Sequence, residues 1–286
     1  MGLHGLAERI GKVEALDRVA KPLAAAAGTV IPTGSARKDA LSGANLGHPL
    51  HPLLTDVPIG CYTAATILDL TGGRRYQDAV DTLLAVGIAA TLPTAAAGLS
   101  DWADTYGPDQ RTGVVHAAAN VAALSLFTAS LGARRAGRRG LGRLLSLTGM
   151  GVMAVGGYLG GHLSYARGVG VNHAFAEGEI EDWTAVMEAG DLPAGSPTRV
   201  EAGGAAILLY RAADRILAIG SVCSHAGGPL QEGKIDDNGP CVACPWHGSV
   251  FRLDDGSVVH GPASVPQAAY EVRTRDGRIE VRRARG

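Results

Sequence analysis

Two short stretches hold the residues best equipped for chemistry: "CSHAGG", from Cys223 to Gly228, and "CPWHGSVF", from Cys244 to Phe251. Cys223 and His225 form a Cys-x-His pair, Cys244 and His247 form a Cys-x-x-His pair, and eighteen residues lie between the pairs. Two soft thiolates with two imidazoles suit zinc or an iron–sulfur centre. A zinc finger usually pairs cysteine with cysteine and histidine with histidine, whereas each stretch here offers one of each. The chain has four cysteines, Cys61, Cys223, Cys241 and Cys244, so a disulfide framework is not expected. Gly227, Gly228, Pro229, Pro245 and Gly248 allow tight turns whose backbone N–H groups can point at bound sulfide.

The elements that must position these residues are short strands. "AAILLYR", "RILAIGSV", "SVFRLDDGSVV" and "YEVRTRDGRIEVRR" are β-rich runs, and "DDNG", "DDG" and "RDG" supply hairpin signals between them. A small antiparallel β domain follows from that pattern. In a Rieske 2Fe-2S centre one iron takes two cysteines and the other two histidines, a need that two mixed loops clamping the cluster from opposite sides would meet. Residues 183–284 resemble the Rieske family on these motifs. The resemblance implies that Cys223 and Cys244 bind one iron and His225 and His247 the other, with Pro262 in the proline-containing loop "GPASVPQAAYEV" covering the cluster.

Rieske proteins of quinol-oxidising cytochrome complexes carry an extra cysteine in each loop, and the two form a disulfide. Gly228 and Trp246 stand at those positions here. Ser249 matches a hydroxyl that bonds a cluster sulfur in that branch, and Phe251 stands where a tyrosine would donate a second bond. Fewer donors to the sulfurs lower the reduction potential, so the loops look more like those of Rieske-type ferredoxins. Cys241 reads as a bystander and Cys61 as a packing residue. Only thirty-nine residues follow His247, and His260 is the one histidine among them, too little to house the mononuclear iron of an oxygenase.

Upstream the composition changes. Leu53 to Leu70, Ala79 to Leu99, Thr112 to Ala133 and Leu144 to Ala166 are apolar stretches. Each is near the ~20 residues a helix needs to cross a hydrocarbon core. They are rich in alanine, glycine and threonine, which let helices approach closely in lipid. The expected fold is therefore an N-terminal all-α four-helix transmembrane bundle, residues 46–170, plus a C-terminal all-β Rieske domain, with residues 171–182 as linker. Residues 1–45, of mixed charge, read as a separate segment with an amphipathic surface helix and no cleavable signal. "GHPLHPLLTDVPIG", from Gly47, is similar to the opening of a family of four-helix bacterial membrane domains whose name implies no chemistry. In an up-and-down bundle His51, Asp56, His116 and His162 fall at one face. They are candidates for haem b ligation, with His116 paired to His162 or either to His51, or for a proton relay.

A net charge of -1 implies no nucleic-acid partner. The expected function is transfer of single electrons between a membrane-side partner, quinone or haem, and a redox protein. Alternatives are a redox sensor or assembly protein anchored in lipid, or a component serving a separate oxygenase. The loop after the first stretch carries Arg74 and Arg75, and the loop after the third carries Arg134, Arg135, Arg138, Arg139 and Arg143. Short arginine-rich loops stay in the cytoplasm, so in a bacterial cytoplasmic membrane the Rieske domain faces outward. Exporting a folded metal domain needs a twin-arginine route, and "RRGLGRLLSL", from Arg138, resembles such a signal. A reporter that fluoresces only in the cytoplasm, fused after Gly286, is expected to leave cells dark; bright cells would place the domain inside.

Overall fold

The computed structural model describes residues 2–213, 215–236 and 239–284. Residues 237 and 238 of the "DDNG" turn, the Arg74 side chain and Gly286 lie outside the described residues. The chain forms two compact units that do not follow sequence order: residues 1–30 with 50–169, and residues 31–49 with 170–286. The division differs from the sequence expectation, which treated the first forty-five residues as one segment. Its composition carries no break at residue 31; the partition is set by tertiary contacts.

The first unit holds helices α1 (Leu3–Gly11), α2 (Asp17–Val30), α4 (Leu50–Thr71), α5 (Gln77–Trp102), α6 (Gly107–Arg135) and α7 (Arg139–Gly161), the last continued by a π turn, His162–Ala166. Helix α3 (Ala36–Ser42) belongs to the second unit. Four helices, α4, α5, α6 and α7 with its π turn, are long and apolar enough to cross a membrane. Glycines at Gly87, Gly98, Gly149 and Gly160 let a neighbouring helix's side chain approach closely. Prolines inside helices are accommodated locally. Pro58 lacks an N–H for the carbonyl of Leu54, and the Thr94 hydroxyl of α5 donates to that carbonyl at 3.2 Å.

Helix pairs α4–α5 and α6–α7 are two copies of one hairpin. Positions of α4 correspond to those 65 later in α6 and positions of α5 to those 62 later in α7, with few identities, so that "YTAA" at Tyr62 lines up with "FTAS" at Phe127. The packing repeats with the sequence. Tyr62 lies on Gly87, where an added Cβ would be 2.7 Å from its ring, and Phe127 lies on Gly149 at 3.2 Å. Across the pseudo-twofold axis the two aromatic rings stack at 3.8 Å and 7°. About two turns further along the same face, the equivalent positions Asp69 and Arg134 form a buried ion pair, Arg134 also donating to Ser130 Oγ at 3.1 Å.

In the second unit three antiparallel sheets form in the orders β1–β10–β9, β2–β3–β4 and β5–β6–β7–β8. Their strands are β1 (Thr184–Glu188), β2 (Thr198–Ala202), β3 (Ala205–Arg211), β4 (Ile216–Gly220), β5 (Lys234–Ile235), β6 (Cys241–Ala243), β7 (Val250–Arg252), β8 (Val258–His260), β9 (Tyr270–Arg275) and β10 (Arg278–Arg283). The "RDG" signal closes the β9–β10 hairpin, with Asp276 and Gly277 both at positive φ (49° and 81°), as a type I′ turn requires. One apolar core lies between the first two sheets. A second, with Leu208, Ile219, Leu230, Val242 and Phe251, also contains Cys223 and Cys244. Sulfur therefore sits on a rigid floor.

Within the helical unit, removing one member of the Asp69–Arg134 pair leaves a buried charge uncompensated. Arg134→Ala is expected to cost about 3–5 kcal/mol, whereas Asp69→Leu with Arg134→Leu costs much less. Thermal unfolding in detergent checks both.

Candidate metal centre

The two Cys/His stretches fold into loops closed by the same hydrogen bonds. In the first, between β4 and β5, Cys223 N–H donates to Gly228 O and Gly227 N–H to Cys223 O, both at 2.8 Å. In the second, between β6 and β7, Cys244 N–H donates to Ser249 O at 2.8 Å and Gly248 N–H to Cys244 O at 3.0 Å. The fifth residue of each loop must be left-handed, and Gly227 (φ 78°) and Gly248 (φ 72°) meet that need without a Cβ penalty. Each loop thus projects its cysteine from the first position and its histidine two or three residues on.

This closure gathers like with like. The Cys223 and Cys244 sulfurs are hydrogen-bonded to each other and buried. The His225 and His247 rings lie 4.9 Å apart, nearly perpendicular at 84°. Backbone N–H groups of His225 and Ala226 face the Cys223 sulfur, and those of Trp246 and His247 face that of Cys244. The hydrogen bond from Cys223, helped by these N–H groups, pulls the Cys244 thiol down to about 6 against the opposing effect of burial. The same bond and burial push Cys223 up. Burial, then the charges of His247, Lys38 and His173, hold His225 down to about 3, so its imidazole is neutral and fit to ligate.

Among the described residues no three histidine, cysteine or acidic side chains converge on a point that one metal ion could take. Two sulfurs on one side and two imidazoles on the other suit a two-iron cluster, in which each iron needs only two protein ligands. They do not suit tetrahedral zinc, which needs all four around one ion. Space around the sulfurs is also set for a cluster. A Cβ on Gly228 would stand 2.7 Å from Cys244 Sγ and 3.2 Å from the Trp246 ring, so positions 228 and 246 are neighbours, as the disulfide comparison implied. Trp246 is 56% exposed beside His247.

The expected neighbours divide. Ser249 is buried and its Oγ accepts from Ala263 N–H at 2.9 Å, which pins the loop that contains Pro262. Phe251 packs in the core below the sulfurs. Sequence reasoning missed a strap formed by residues 31–49. The Asp39 carboxylate accepts from Gly261 N–H at 2.8 Å and from His260 Nδ1–H at 3.0 Å, and Ser42 Cβ would be 3.4 Å from a Cβ on Gly261. Thr33 lies against Gly248, and Lys38 is fully buried. The one local signal was Ser35, an N-cap whose Oγ accepts from Lys38 N–H; nothing in the sequence tied that helix to a loop more than two hundred residues away.

The membrane histidines do not gather as a His116–His162 haem pair. His116 donates from Nδ1 to Gly156 O on α7 at 2.8 Å, while His162 Nε2 lies 3.2 Å from Glu8 and its ring leans on His4 of α1. Asp56 is exposed on α4, about 140° around the helix from His51, so it completes no relay with it. Side-chain direction, which spacing alone does not fix near helix ends, decided these cases.

A family model described as Rieske [2Fe-2S] domain matches residues 182–271, and one described as predicted membrane protein (DUF2231) matches residues 47–173. The chain is 35% identical over 100 residues to Ferredoxin CarAc of Metapseudomonas resinovorans, covering 35% of this chain and 92% of that protein. It is 28% identical over 103 residues to the cytochrome b6-f complex iron-sulfur subunit of Chlorobaculum tepidum, covering 36% of this chain and 55% of that one. The solved ferredoxin of carbazole 1,9a-dioxygenase from Nocardioides aromaticivorans IC177 matches with 27% identity and a TM-score of 0.34, over 36% of this chain and 98% of that one.

Gly228→Ala is expected to abolish cluster assembly, because its methyl group would displace the Cys244 sulfur. Gly190→Ala, where an added Cβ meets nothing within 4 Å, should leave iron and acid-labile sulfide content unchanged.

Proposed function

Because the chain belongs to the Rieske [2Fe-2S] family, we propose that it is a membrane-anchored one-electron carrier in which Cys223 and Cys244 hold one iron and His225 and His247 the other. When bound, the cluster supplies a centre that takes up and releases single electrons. The chain's own residues do the rest. Backbone N–H groups around both sulfurs stabilise negative charge, the apolar core under them excludes water, and Ser249 with Asp39 fixes the loop above. The single observation that carries the reading is the separation of the four ligands into a sulfur pair and an imidazole pair.

Exposed Trp246, beside one imidazole, supports docking of a protein partner there. Helices α4 to α7 support a multi-pass anchor in lipid, and the arginines at the α6–α7 junction and after α4 support an outward cluster domain. On the membrane side the reading takes a lipid-soluble quinone or quinol as the exchange partner. A second reading, a component that feeds a separate oxygenase, is favoured by the Ferredoxin CarAc relative and by the anthranilate 1,2-dioxygenase ferredoxin subunit of Burkholderia cepacia, 29% identical over 105 residues, 37% of this chain and 95% of that one.

Detergent-purified protein, reduced stoichiometrically and mixed with a soluble oxidised acceptor, is expected to be reoxidised by one electron per cluster within milliseconds to seconds. Reoxidation taking hours would favour a sensor over a carrier. Cys223→Ser should remove the optical change, and Cys241→Ser should retain it.

A further inference from the structure

The duplicated hairpin places two histidines in equivalent positions, His51 on α4 and His116 on α6, 65 residues apart like the stacked Tyr62 and Phe127. Their surroundings repeat. His51 donates from Nδ1 to Thr94 O on α5 at 2.9 Å, and a Cβ on Gly98 would be 2.7 Å from its ring. His116 donates from Nδ1 to Gly156 O on α7 at 2.8 Å, and a Cβ on Gly160 would be 2.9 Å from its ring. Thr94 and Gly156, like Gly98 and Gly160, are themselves 62 residues apart.

Helix geometry puts both rings beside the pseudo-twofold axis. Steps of eleven and eighteen residues bring a helix back to within about 20° of the same face, so His51, Tyr62 and Asp69 line one stripe and His116, Phe127 and Arg134 its copy. At the second and third positions the stripes touch, as a ring stack and an ion pair. The histidines are the first position, about 16 Å along the helix from the ring stack. Asn120 Nδ2 lies 3.3 and 3.2 Å from the two His116 nitrogens, hence over the ring or at the edge between them, not along the Nε2 lone pair. With each Nδ1–H committed to a carbonyl, each neutral ring presents Nε2 as an acceptor.

We propose that His51 and His116 form a two-acceptor site for the head group of a quinol, one phenolic O–H donating to each Nε2. The ligand class follows from the symmetry: two equivalent acceptors in an apolar bundle suit a planar lipid-soluble molecule with two equivalent donors at opposite ends. Half-buried imidazoles inside a membrane helix are costly unless used. Oxidation balances at this site. The two O–H bonds break, one proton passes to each Nε2, two electrons leave in single steps to two oxidised Rieske clusters or to one cluster twice, and quinone remains.

The inference rests on the one-electron carrier reading for its oxidant but not for its binding step, so the test reads binding. Protein in nanodiscs is titrated anaerobically with a decyl-substituted benzohydroquinone by calorimetry, while cluster content is measured separately by EPR. Saturable binding is expected, weakened about tenfold by His51→Ala and to a similar degree by His116→Ala, roughly one hydrogen bond each, and unchanged by His162→Ala. Gly98→Ala and Gly160→Ala, which keep the imidazoles but push them aside, should weaken it as well and guard against misfolding. Three results would overturn the proposal: no saturable binding with the cluster intact, an equal loss in His162→Ala, or purified protein with a haem Soret band that His51→Ala removes. Loss of the cluster signal with quinol binding preserved would instead sink the carrier reading alone.

Discussion

Everything in the cluster domain depends on one constraint: the two cysteine sulfurs must come together on one side and the two imidazoles on the other, although each loop supplies one of each. The chain meets it by folding both stretches into the same closed turn, with a left-handed glycine at the fifth position and the first N–H bonded to the sixth carbonyl. When two such turns face each other, cysteine meets cysteine and histidine meets histidine. The core strands, the buried Ser249 and the glycine at position 228 all serve that meeting. A methyl group at 228 would occupy the space of a ligand.

The strap shows that the cluster domain is not assembled from contiguous chain. Asp39 reaches the proline loop through two hydrogen bonds, and the loop in turn is fixed to Ser249. A nearly buried carboxylate leaves its oxygens unsatisfied unless such donors reach it. The segment between α2 and α4 is therefore a part of the metal domain that happens to be encoded before the membrane helices.

Much of this was legible in the sequence, and the reasons differ by element. Cys223, His225, Cys244 and His247 stood out because ligand chemistry tolerates few residue types and fixes their spacing. Four apolar stretches stood out because a hydrocarbon core demands length, although the helices extend several residues beyond the apolar runs, α6 starting at Gly107 rather than near 112. The strap was invisible, since an Asp–amide hydrogen bond across the chain leaves no local pattern. The hairpin correspondence was readable in principle from "YTAA" and "FTAS", but few identities survive where one apolar residue can replace another. His162 shares a helix end with His116, but its ring turns toward α1, a direction that spacing alone does not fix.

Pulsed EPR of the reduced, detergent-purified protein tests the central claim most directly, because it counts the nitrogens bound to the paramagnetic cluster. Two strongly coupled histidine nitrogens, one lost in His225→Cys and one in His247→Cys, are the predicted result. A cluster without directly coordinated nitrogen, or stoichiometric zinc with no paramagnetic signal, would contradict the account.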